Sequence, residues 1–374
     1  MTDSATKHKQ DKVHRALEEM EDIVAKYDEG LEESAQIDHG AHKECLDRWG
    51  FIYKNGLPEG RYAKESEVIE KERKRSKKWQ KMVSEWEQSC RGEKFVRRIY
   101  KGIPADVRGL VWARILNINQ TREEQNGVYM AMRDKTREKS SHIRQIDIDV
   151  QRTYRNHTLF SEQYGVKQKS LFHVLAAYSV YNTEVGYCQG MSEIAALLLM
   201  YLNEEDSFWG LSELFCSQQH GMHGFFVPGF PKFHRYQEHH DVILNKFLPK
   251  VREHFEKNDV KPSLYLPKWY LQSFLGSIPF SLSLRLWDIY IFEGEKVFSA
   301  MAYNIIKLHR RKLMRMNAEE IQELFHTELE KNFGYNDDVV IHQLSICMQE
   351  LHKAKMDLPP RAKVNEKPTL PFGL

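Results

Sequence analysis

Apolar residues recur every three or four positions along most of the chain, and this spacing constrains the fold more than any other feature. One such stripe consists of Leu171, Val174, Leu175, Tyr178 and Tyr181. Because residues three and four apart share one face of an α-helix, each stripe predicts an amphipathic helix. Alternating strand-like patterns between hairpin turns are scarce, so the sequence predicts an all-α fold, without an internal repeat.

Capping residues and glycines mark where several of these helices begin and end. Asn317 followed by Glu320 is typical of a capped helix start, and Asn336 precedes the last apolar stripe. A first helix is predicted from about residue 11 to Gly30. Its stripe is too short for a stable coiled coil, so we expect it to pack on the chain's own core; the alternative is a partner helix.

A second helix is predicted over about residues 65–89. It contains a run of cations between Lys71 and Lys81, for which we expect a solvated face; the alternative is contact with a membrane or an acidic partner. The polar, turn-rich segment 31–62 between the two helices predicts an irregular surface connection. The proline-bearing segment 357–374 predicts an extended, mobile tail, whose PxxP stretch, Pro368–Pro371, an SH3-type partner could bind.

The overall charge and the cysteines exclude several classes of protein. Lys and Arg number 55 and Asp and Glu 53, so no global basic field supports nucleic-acid binding. The five cysteines occur singly, which argues against a disulfide framework or a zinc ribbon and favours a reducing, cytoplasmic environment. The longest apolar run, residues 194–202, is far shorter than the roughly 20 residues that span a bilayer. We therefore expect neither secretion nor a membrane span.

Several familiar catalytic motifs are absent from the sequence. It has no Walker A sequence, no Rossmann glycine fingerprint and no Gly-x-Ser-x-Gly elbow, so we do not expect the chain itself to bind and turn over a nucleotide. The histidines of residues 220–240 lack further ligands at metal spacing, and we expect them on surfaces and loops. Cys188 lacks a specified base, which favours a packing residue over a thiol nucleophile.

Three other segments combine residues that suit a functional site. In residues 101–116 a Gly-Ile-Pro sequence opens a helix, and Arg108 lies four residues before Trp112, on the same face. An arginine stacked along an indole at the edge of the core is one interpretation. Support of a functional site is the other.

The second and third segments contain an Ile-Asp-Arg pattern and a Tyr-Gln pattern, respectively. Ile146, Asp149 and Arg152 follow the pattern Ile-x-x-Asp-x-x-Arg, in which the Asp149 carboxylate can hold the Arg152 guanidinium in place. Tyr187 and Gln189 form a Tyr-x-Gln stretch with a glycine on either side, where the backbone can turn tightly and present the glutamine amide.

The order and spacing of these segments resemble a TBC domain, the Rab GTPase-activating module with an arginine finger and a glutamine finger. A further segment is similar to the family's Pro, Arg, Asp and Glu-Gly block, and contains Trp269, Pro279, Arg285, Asp288, Glu293 and Gly294. The resemblance covers about residues 99–312 and looks most like the RN-tre subfamily. At one position the chain departs from many members, because Ile278 rather than serine directly precedes Pro279.

The resemblance implies a TBC-type multi-helical fold. It also implies that the protein activates the GTPase of a Rab and is not itself a hydrolase. Arg152 would enter the GTPase active site and stabilise the charge that develops on the transferred phosphoryl group. Gln189 would orient the attacking water, and Asp149 would position Arg152. Four residues would brace the helices that carry the two fingers, namely Arg108, Trp112, Arg285 and Asp288. Tyr187 and Ile146 would be further supporting residues of the site.

The resemblance also implies the partner and a division of the chain. The partner would be a GTP-bound Rab, which brings its own GTP and Mg²⁺, so we expect no cofactor or metal of the chain's own. The protein would be cytoplasmic, with recruitment to endosomal or Golgi membranes in vesicle traffic. A catalytically silent Rab-binding scaffold is the alternative, which the presence of both fingers disfavours. The expected division is an N-terminal helical extension (1–98), the TBC domain (99–312), completing helices (313–356) and the tail (357–374).

Overall fold

The computed structural model describes residues 2–30, 46–53, 61–362 and 364–373, and its regular elements are helices. In these ranges, β-structure is limited to two isolated bridges, Leu46 with Ile52 and Phe51 with His157. The all-α prediction is therefore confirmed. Most of the turn-rich segment 31–62 lies outside the described residues.

The helices have the following bounds in chain order. They are α1 (Thr2–Glu29), α2 (Arg61–Ser84), α3 (Trp86–Ser89), α4 (Glu93–Tyr100), α5 (Ala105–Ile115), α6 (Ile118–Glu124), α7 (Val128–Lys139), α8 (Ile143–Arg152), α9 (Val166–Tyr181), α10 (Met191–Tyr201), α11 (Glu204–Cys216), α12 (His223–Phe226), α13 (Pro231–Phe247), α14 (Pro249–Lys257), α15 (Leu266–Leu271), α16 (Phe280–Glu293), α17 (Lys296–Leu313), α18 (Ala318–Glu323), α19 (Leu329–Lys331) and α20 (Asp337–Lys353). Two 3-10 turns (Pro262–Leu264 and Val364–Glu366) and a π-helical turn (Leu324–Glu328) complete the elements.

The described residues divide into two compact units built from alternating stretches of chain. Those within 1–71, 120–209 and 370–374 form the first unit, and those within 72–119 and 210–369 form the second. No helix among the described residues is long and apolar enough to cross a membrane. The division into an extension, a TBC domain, completing helices and a tail stays a prediction.

The first unit is organised around α9. Every residue from Leu171 to Tyr181 is buried, and the helix packs against α1, α7, α8 and α10. Helix α1 starts earlier than predicted and docks through Tyr27, whose ring stacks on Phe172 with centroids 4.0 Å apart. The Tyr27 hydroxyl also donates to Asp147 Oδ1 over 2.9 Å. These contacts confirm that α1 packs on the chain's own core.

The second unit has α17 at its centre, packed against α13, α15, α16 and α20. The predicted starts of two of its other helices are confirmed, because Asn317 and Glu320 form a complete capping box and the Asn336 side chain accepts from Asp338 N. The predicted single helix over 65–89 is interrupted at Glu85. Two residues before Glu85, the Val83 carbonyl accepts a hydrogen bond from the Arg114 guanidinium over 2.5 Å.

The described residues of the segment 357–373 differ from the expected mobile tail. In the second unit Glu366 is buried and pairs with Arg235, which also donates to Pro360 O over 2.7 Å. In the first unit Phe372 stacks on Tyr181 with centroids 5.1 Å apart. Specific partners on the helices, which the proline-rich composition does not indicate, hold this segment in place.

Candidate functional site

A buried carboxylate and an exposed guanidinium lie three residues apart at the end of α8. Ile146 and Asp149 are fully buried, whereas 54% of the Arg152 side chain is exposed. Arg152 Nη2 lies 2.6 Å from Asp149 Oδ1. Arg152 is the last residue of α8, and Thr153 N closes the helix by donating to Asp149 O. The buried carboxylate therefore holds one side of a guanidinium that is otherwise open to solvent.

Asp149 also joins α8 to the loop that follows α9. The Tyr187 hydroxyl donates to Asp149 Oδ2 over 2.6 Å, and Gln145 Nε2 donates to Oδ1 over 3.2 Å. Burial, together with the neighbouring Asp149, raises the pKa of Tyr187, so its hydroxyl stays protonated and keeps its role as donor. One carboxylate thus positions both Arg152 and the tyrosine that lies two residues before Gln189.

The loop between α9 and α10 presents Gln189 at the surface. Tyr187 is buried and Gln189 is exposed. The flanking glycines have φ angles of +58° at Gly186 and +103° at Gly190, a region that other residues rarely adopt. A Cβ added to Gly186 would lie 2.4 Å from His142 Nε2. The loop therefore depends on glycine for both its backbone conformation and its close approach to the start of α8.

The environment of Cys188 does not suit a nucleophile. Its backbone N donates to Met191 Sδ over 3.3 Å, which fastens the loop to the first residue of α10. Burial raises the pKa of the Cys188 thiol. Because an activated cysteine needs a lowered pKa, these surroundings argue against a thiol hydrolase.

A second buried carboxylate, Asp288 on α16, collects donors within the second unit. Its Oδ1 accepts from Arg108 Nε over 3.1 Å and from Trp112 Nε1 over 2.9 Å, and its Oδ2 accepts from Ile103 N over 2.8 Å. Burial raises the pKa of Asp288, and these donors oppose that shift. Since all of these groups are buried, the cluster braces α5 against α16 and presents no charge at the surface.

Arg285, also on α16, fastens the start of the Gly-Ile-Pro segment. Its guanidinium donates to Tyr100 O over 2.6 Å and pairs with Asp338 over 2.9 Å. A Cβ on Gly102 would lie 2.6 Å from Arg285 Cδ, so this packing requires glycine. Pro279 forms the N-cap of α16 behind a buried Ile278, and the departure at position 278 leaves a regular helix start.

The candidate residues therefore form two clusters rather than one. Asp149, Arg152 and Tyr187 meet in the first unit, with Ile146 buried on the same helix as Asp149 and Gln189 on the same loop as Tyr187. Arg108, Trp112 and Asp288 meet in the second unit, and Arg285 lies on the same helix as Asp288.

Two residues of the first cluster were missed in the sequence. Gln145 precedes Asp149 by four residues, so helical spacing could have indicated its contact. His142 packs against Gly186, from which it is 44 positions away, and no local pattern signals that contact.

The described part of the chain contains no group of three or more His, Cys, Asp or Glu side chains that could hold a metal ion. The histidines of residues 220–240 are engaged in the second unit instead. His220 Nε2 lies 3.0 Å from Ile291 O, and His240 Nε2 lies 3.0 Å from the Tyr265 hydroxyl. His234 is exposed as expected, whereas the other four, His220, His223, His239 and His240, are buried, contrary to the expected surface positions.

Comparison of the sequence with known proteins identifies a family for this chain. Residues 105–314 match the family described as the Rab-GTPase-TBC domain. The chain is 33% identical over 278 residues to TBC1 domain family member whacked of Drosophila melanogaster, a match that covers 72% of this chain and 74% of that protein.

Solved structures give the same result for the fold. The Chlamydomonas flagellar RabGAP TBC domain is similar with a TM-score of 0.65 and 25% identity, over 80% of this chain and 98% of that one. The Ypt/Rab-GAP domain of Gyp1p, at 16% identity, has the same fold with a TM-score of 0.59, over 73% of this chain and 98% of that one. The chain therefore belongs to the Rab-GTPase-TBC domain family.

Proposed function

We propose that this protein is a GTPase-activating protein that supplies Arg152 and Gln189 to the active site of a GTP-bound Rab. The observation that carries the proposal is the arrangement around Asp149. This buried carboxylate holds the exposed Arg152 on one oxygen and, on the other, Tyr187 from the loop that presents Gln189. Two exposed polar side chains of different chemistry are thereby fastened to one rigid anchor, as residues that act in trans require.

The chemistry of GTP hydrolysis fits these two side chains. Negative charge develops on the transferred phosphoryl group, and a planar guanidinium neutralises it through paired N–H donors. An arginine finger is worth about 10³ to 10⁵ in rate in small GTPases. A primary amide both donates and accepts, so Gln189 can orient the attacking water in line with the phosphoryl group. GTP and Mg²⁺ come with the Rab, and this chain contributes side chains alone.

Purified GTP-loaded Rabs, assayed for phosphate release, test the arginine finger. Arg152→Ala is expected to lower the stimulated rate by about 10³ or more and to leave the protein folded, with some loss of stability because the buried Asp149 carboxylate loses a charged partner. Arg152→Lys is expected to fail nearly as badly, since an ammonium group lacks the planar fork. Arg155→Ala is the matched control, a nearby exposed arginine whose loss should leave the rate unchanged.

A Rab that lacks its own catalytic glutamine tests the second finger. The wild-type protein is expected to stimulate this altered Rab substantially, and Gln189→Ala is expected to remove that stimulation. No stimulation of the altered Rab, together with full activity of Gln189→Ala on the normal Rab, would show that Gln189 is not the finger. Full activity of Arg152→Ala would leave the silent Rab-binding scaffold as the better account.

The identity of the Rabs that respond to the protein tests on which membranes it acts. From its resemblance to the RN-tre subfamily, we expect the responding Rabs to be those of endosomal or Golgi membranes. Contact of the basic stretch Lys71–Lys81 with a membrane, and binding of an SH3-type partner to Pro368–Pro371, stay predictions.

A further inference from the structure

A pocket of about 740 Å³ opens in the second unit, among helix ends that the proposed function does not use. The last turns of α17 form one wall, with Arg310, Arg311 and Lys312. The other walls come from the π-helical turn Leu324–Glu328, from Lys331 at the end of α19, and from the loop 332–335.

The lining of this pocket is strongly basic. Four of its side chains, Arg310, Arg311, Lys312 and Lys331, are cationic, and Glu328 is its single carboxylate, which leaves a formal charge of +3. Glu328 pairs with Lys312 over 2.7 Å. Within the described residues, neither Arg311 nor Lys331 has a carboxylate within ion-pair distance, although both are exposed. Like charges gathered in a concavity repel one another, so an anion there would be stabilised.

The dipole of α17 accounts for only part of this cluster. Cations in the last turn of a helix interact favourably with its carbonyl end, and Arg310 Nη1 does donate to Lys307 O over 2.8 Å. Lys331 ends a second helical stretch, because α18, the π-helical turn and α19 follow one another without a break from Ala318 to Lys331. The carbonyl ends of two helical stretches therefore meet at the pocket, and no carboxylate of the described residues neutralises Arg311 or Lys331 at ion-pair distance.

Two further features of the pocket are typical of binding sites. The π-helical turn in its wall is a rare element that occurs often at functional sites. His309, a residue that is 6% exposed, lines the pocket, and its buried Nε2 has no hydrogen-bond partner in the described part of the chain. Burial, assisted by nearby Lys312, lowers the pKa of His309 to about 4, so the ring is neutral and adds no charge to the lining.

We propose that this pocket binds a compact polyphosphate of the inositol phosphate class, either free or as the head group of a membrane lipid. One phosphate monoester carries a charge of about −1.5 to −2 near neutral pH, so two or more phosphates match the charge of the lining. Arginine and lysine from different elements suit several phosphates held at different angles. The two aromatic rings of the lining, Phe333 and Tyr335, pack edge-on against His309, which favours a polyol over a stacked nucleobase.

Calorimetric titration of the full chain with inositol trisphosphate tests the proposal at physiological ionic strength. Arg311→Ala/Lys331→Ala is expected to weaken binding by about tenfold or more, because two charge-assisted contacts are lost. Arg315→Ala is the matched control, since Arg315 follows the same helix, is equally exposed and does not line the pocket; it should change affinity less than about twofold. Unchanged thermal unfolding of the three proteins establishes that each is folded.

Vesicles distinguish the two sources of the ligand. Co-sedimentation with phosphatidylcholine vesicles that contain phosphatidylinositol bisphosphate, lost in the double variant, identifies the lipid head group. Binding of the soluble trisphosphate without such co-sedimentation identifies the free ligand. The proposal is overturned if neither probe binds, if the double variant binds as well as the wild type, or if vesicles of equal charge made with phosphatidylserine bind equally. An equal loss in Arg315→Ala, or preferential binding of a phosphopeptide, would overturn it as well.

Discussion

At the scale of single residues, two buried aspartates have opposite roles. Asp288 receives all of its donors inside the core of the second unit, and its cluster stabilises the packing of α5 on α16. Asp149 is equally buried, but one of its partners, Arg152, is half in solvent. Because the carboxylate of this ion pair is buried and the guanidinium is exposed, the guanidinium is held in a fixed position that a second protein can reach.

The hydrogen bond from Tyr187 to Asp149 is expected to control the rate of GTP hydrolysis. Tyr187→Phe removes a hydroxyl donor to a carboxylate, which typically costs about 1.5 to 3 kcal/mol in stability. It also frees the loop that presents Gln189, so we expect kcat of the stimulated reaction to fall about ten- to hundredfold while KM for the Rab changes little. Single-turnover kinetics over a range of protein concentrations separate the two quantities.

Tyr129→Phe is the matched control for this change. Tyr129 is also buried in the first unit, and its hydroxyl donates to the carboxylate of Glu204, away from Asp149. This variant should lose comparable stability and keep its rate. If both variants lose rate in proportion to stability, Tyr187 has no positioning role.

At the scale of elements, the connection between α9 and α10 depends on how closely it approaches the start of α8. Gly186 and Gly190 turn the backbone on either side of Tyr187 and Gln189, and Gly190 is also the N-cap of α10. His142, the N-cap of α8, fills the space beside Gly186. The starts of α8 and α10 and the loop before α10 are thus packed together and support the exposed Gln189 side chain.

Gly186→Ala is expected to displace this loop and lower the stimulated rate by about tenfold or more, because the added Cβ meets the His142 ring at 2.4 Å. Gly276→Ala is a control for backbone strain alone, since Gly276 has a similar φ of +64° and no atom within 4 Å of an added Cβ. That control should cost about 1 to 2 kcal/mol in stability and no activity.

The double variant Gly186→Ala/His142→Ala separates a steric cause from strain. Removal of the imidazole makes room for the new Cβ, so we expect the rate to recover at least in part. A rate that is unaffected in Gly186→Ala, or not restored at all in the double variant, would contradict a loop held by this contact. Phosphate-release assays with one fixed Rab provide the comparison.

At the scale of the whole molecule, buried histidines make stability depend on pH. In the second unit burial lowers the pKa to about 4 for His220, about 3 for His240 and about 4 for His309. Their unfolded pKa lies near 6.5, so below that pH the unfolded chain binds protons that the folded chain does not. Stability is therefore fully present above about pH 6.5 and falls as the pH drops toward the folded pKa values.

Urea unfolding measures this loss. Between about pH 7.5 and 5.5 each of these histidines should contribute a decrease of about 1.4 kcal/mol, or about 4 kcal/mol for the three together. His309→Gln removes one of the three groups and is expected to reduce the decrease by about a third, whatever its effect at neutral pH. An unfolding midpoint that is the same at both pH values would contradict neutral, buried histidines.

The sequence by itself determined the features that depend on residues close together in the chain. Apolar stripes and the caps at Asn317 and Asn336 predicted an all-α chain and two of its helix starts, because helical hydrogen bonds and caps join residues only two to four apart. The same spacing indicated that Asp149 could hold Arg152, which is the geometry in the structure.

Only the tertiary structure decided which residues far apart in the chain come into contact. Tyr187 reaches Asp149 across 38 positions and Arg108 reaches Asp288 across 180, and Glu366 anchors a segment whose proline content predicted mobility. Near the interruption of the second helix at Glu85, the Val83 carbonyl likewise accepts from a guanidinium 31 residues away, that of Arg114. Contacts of this kind depend on where whole helices pack, and packing is set by the sum of burial over many side chains rather than by any local pattern.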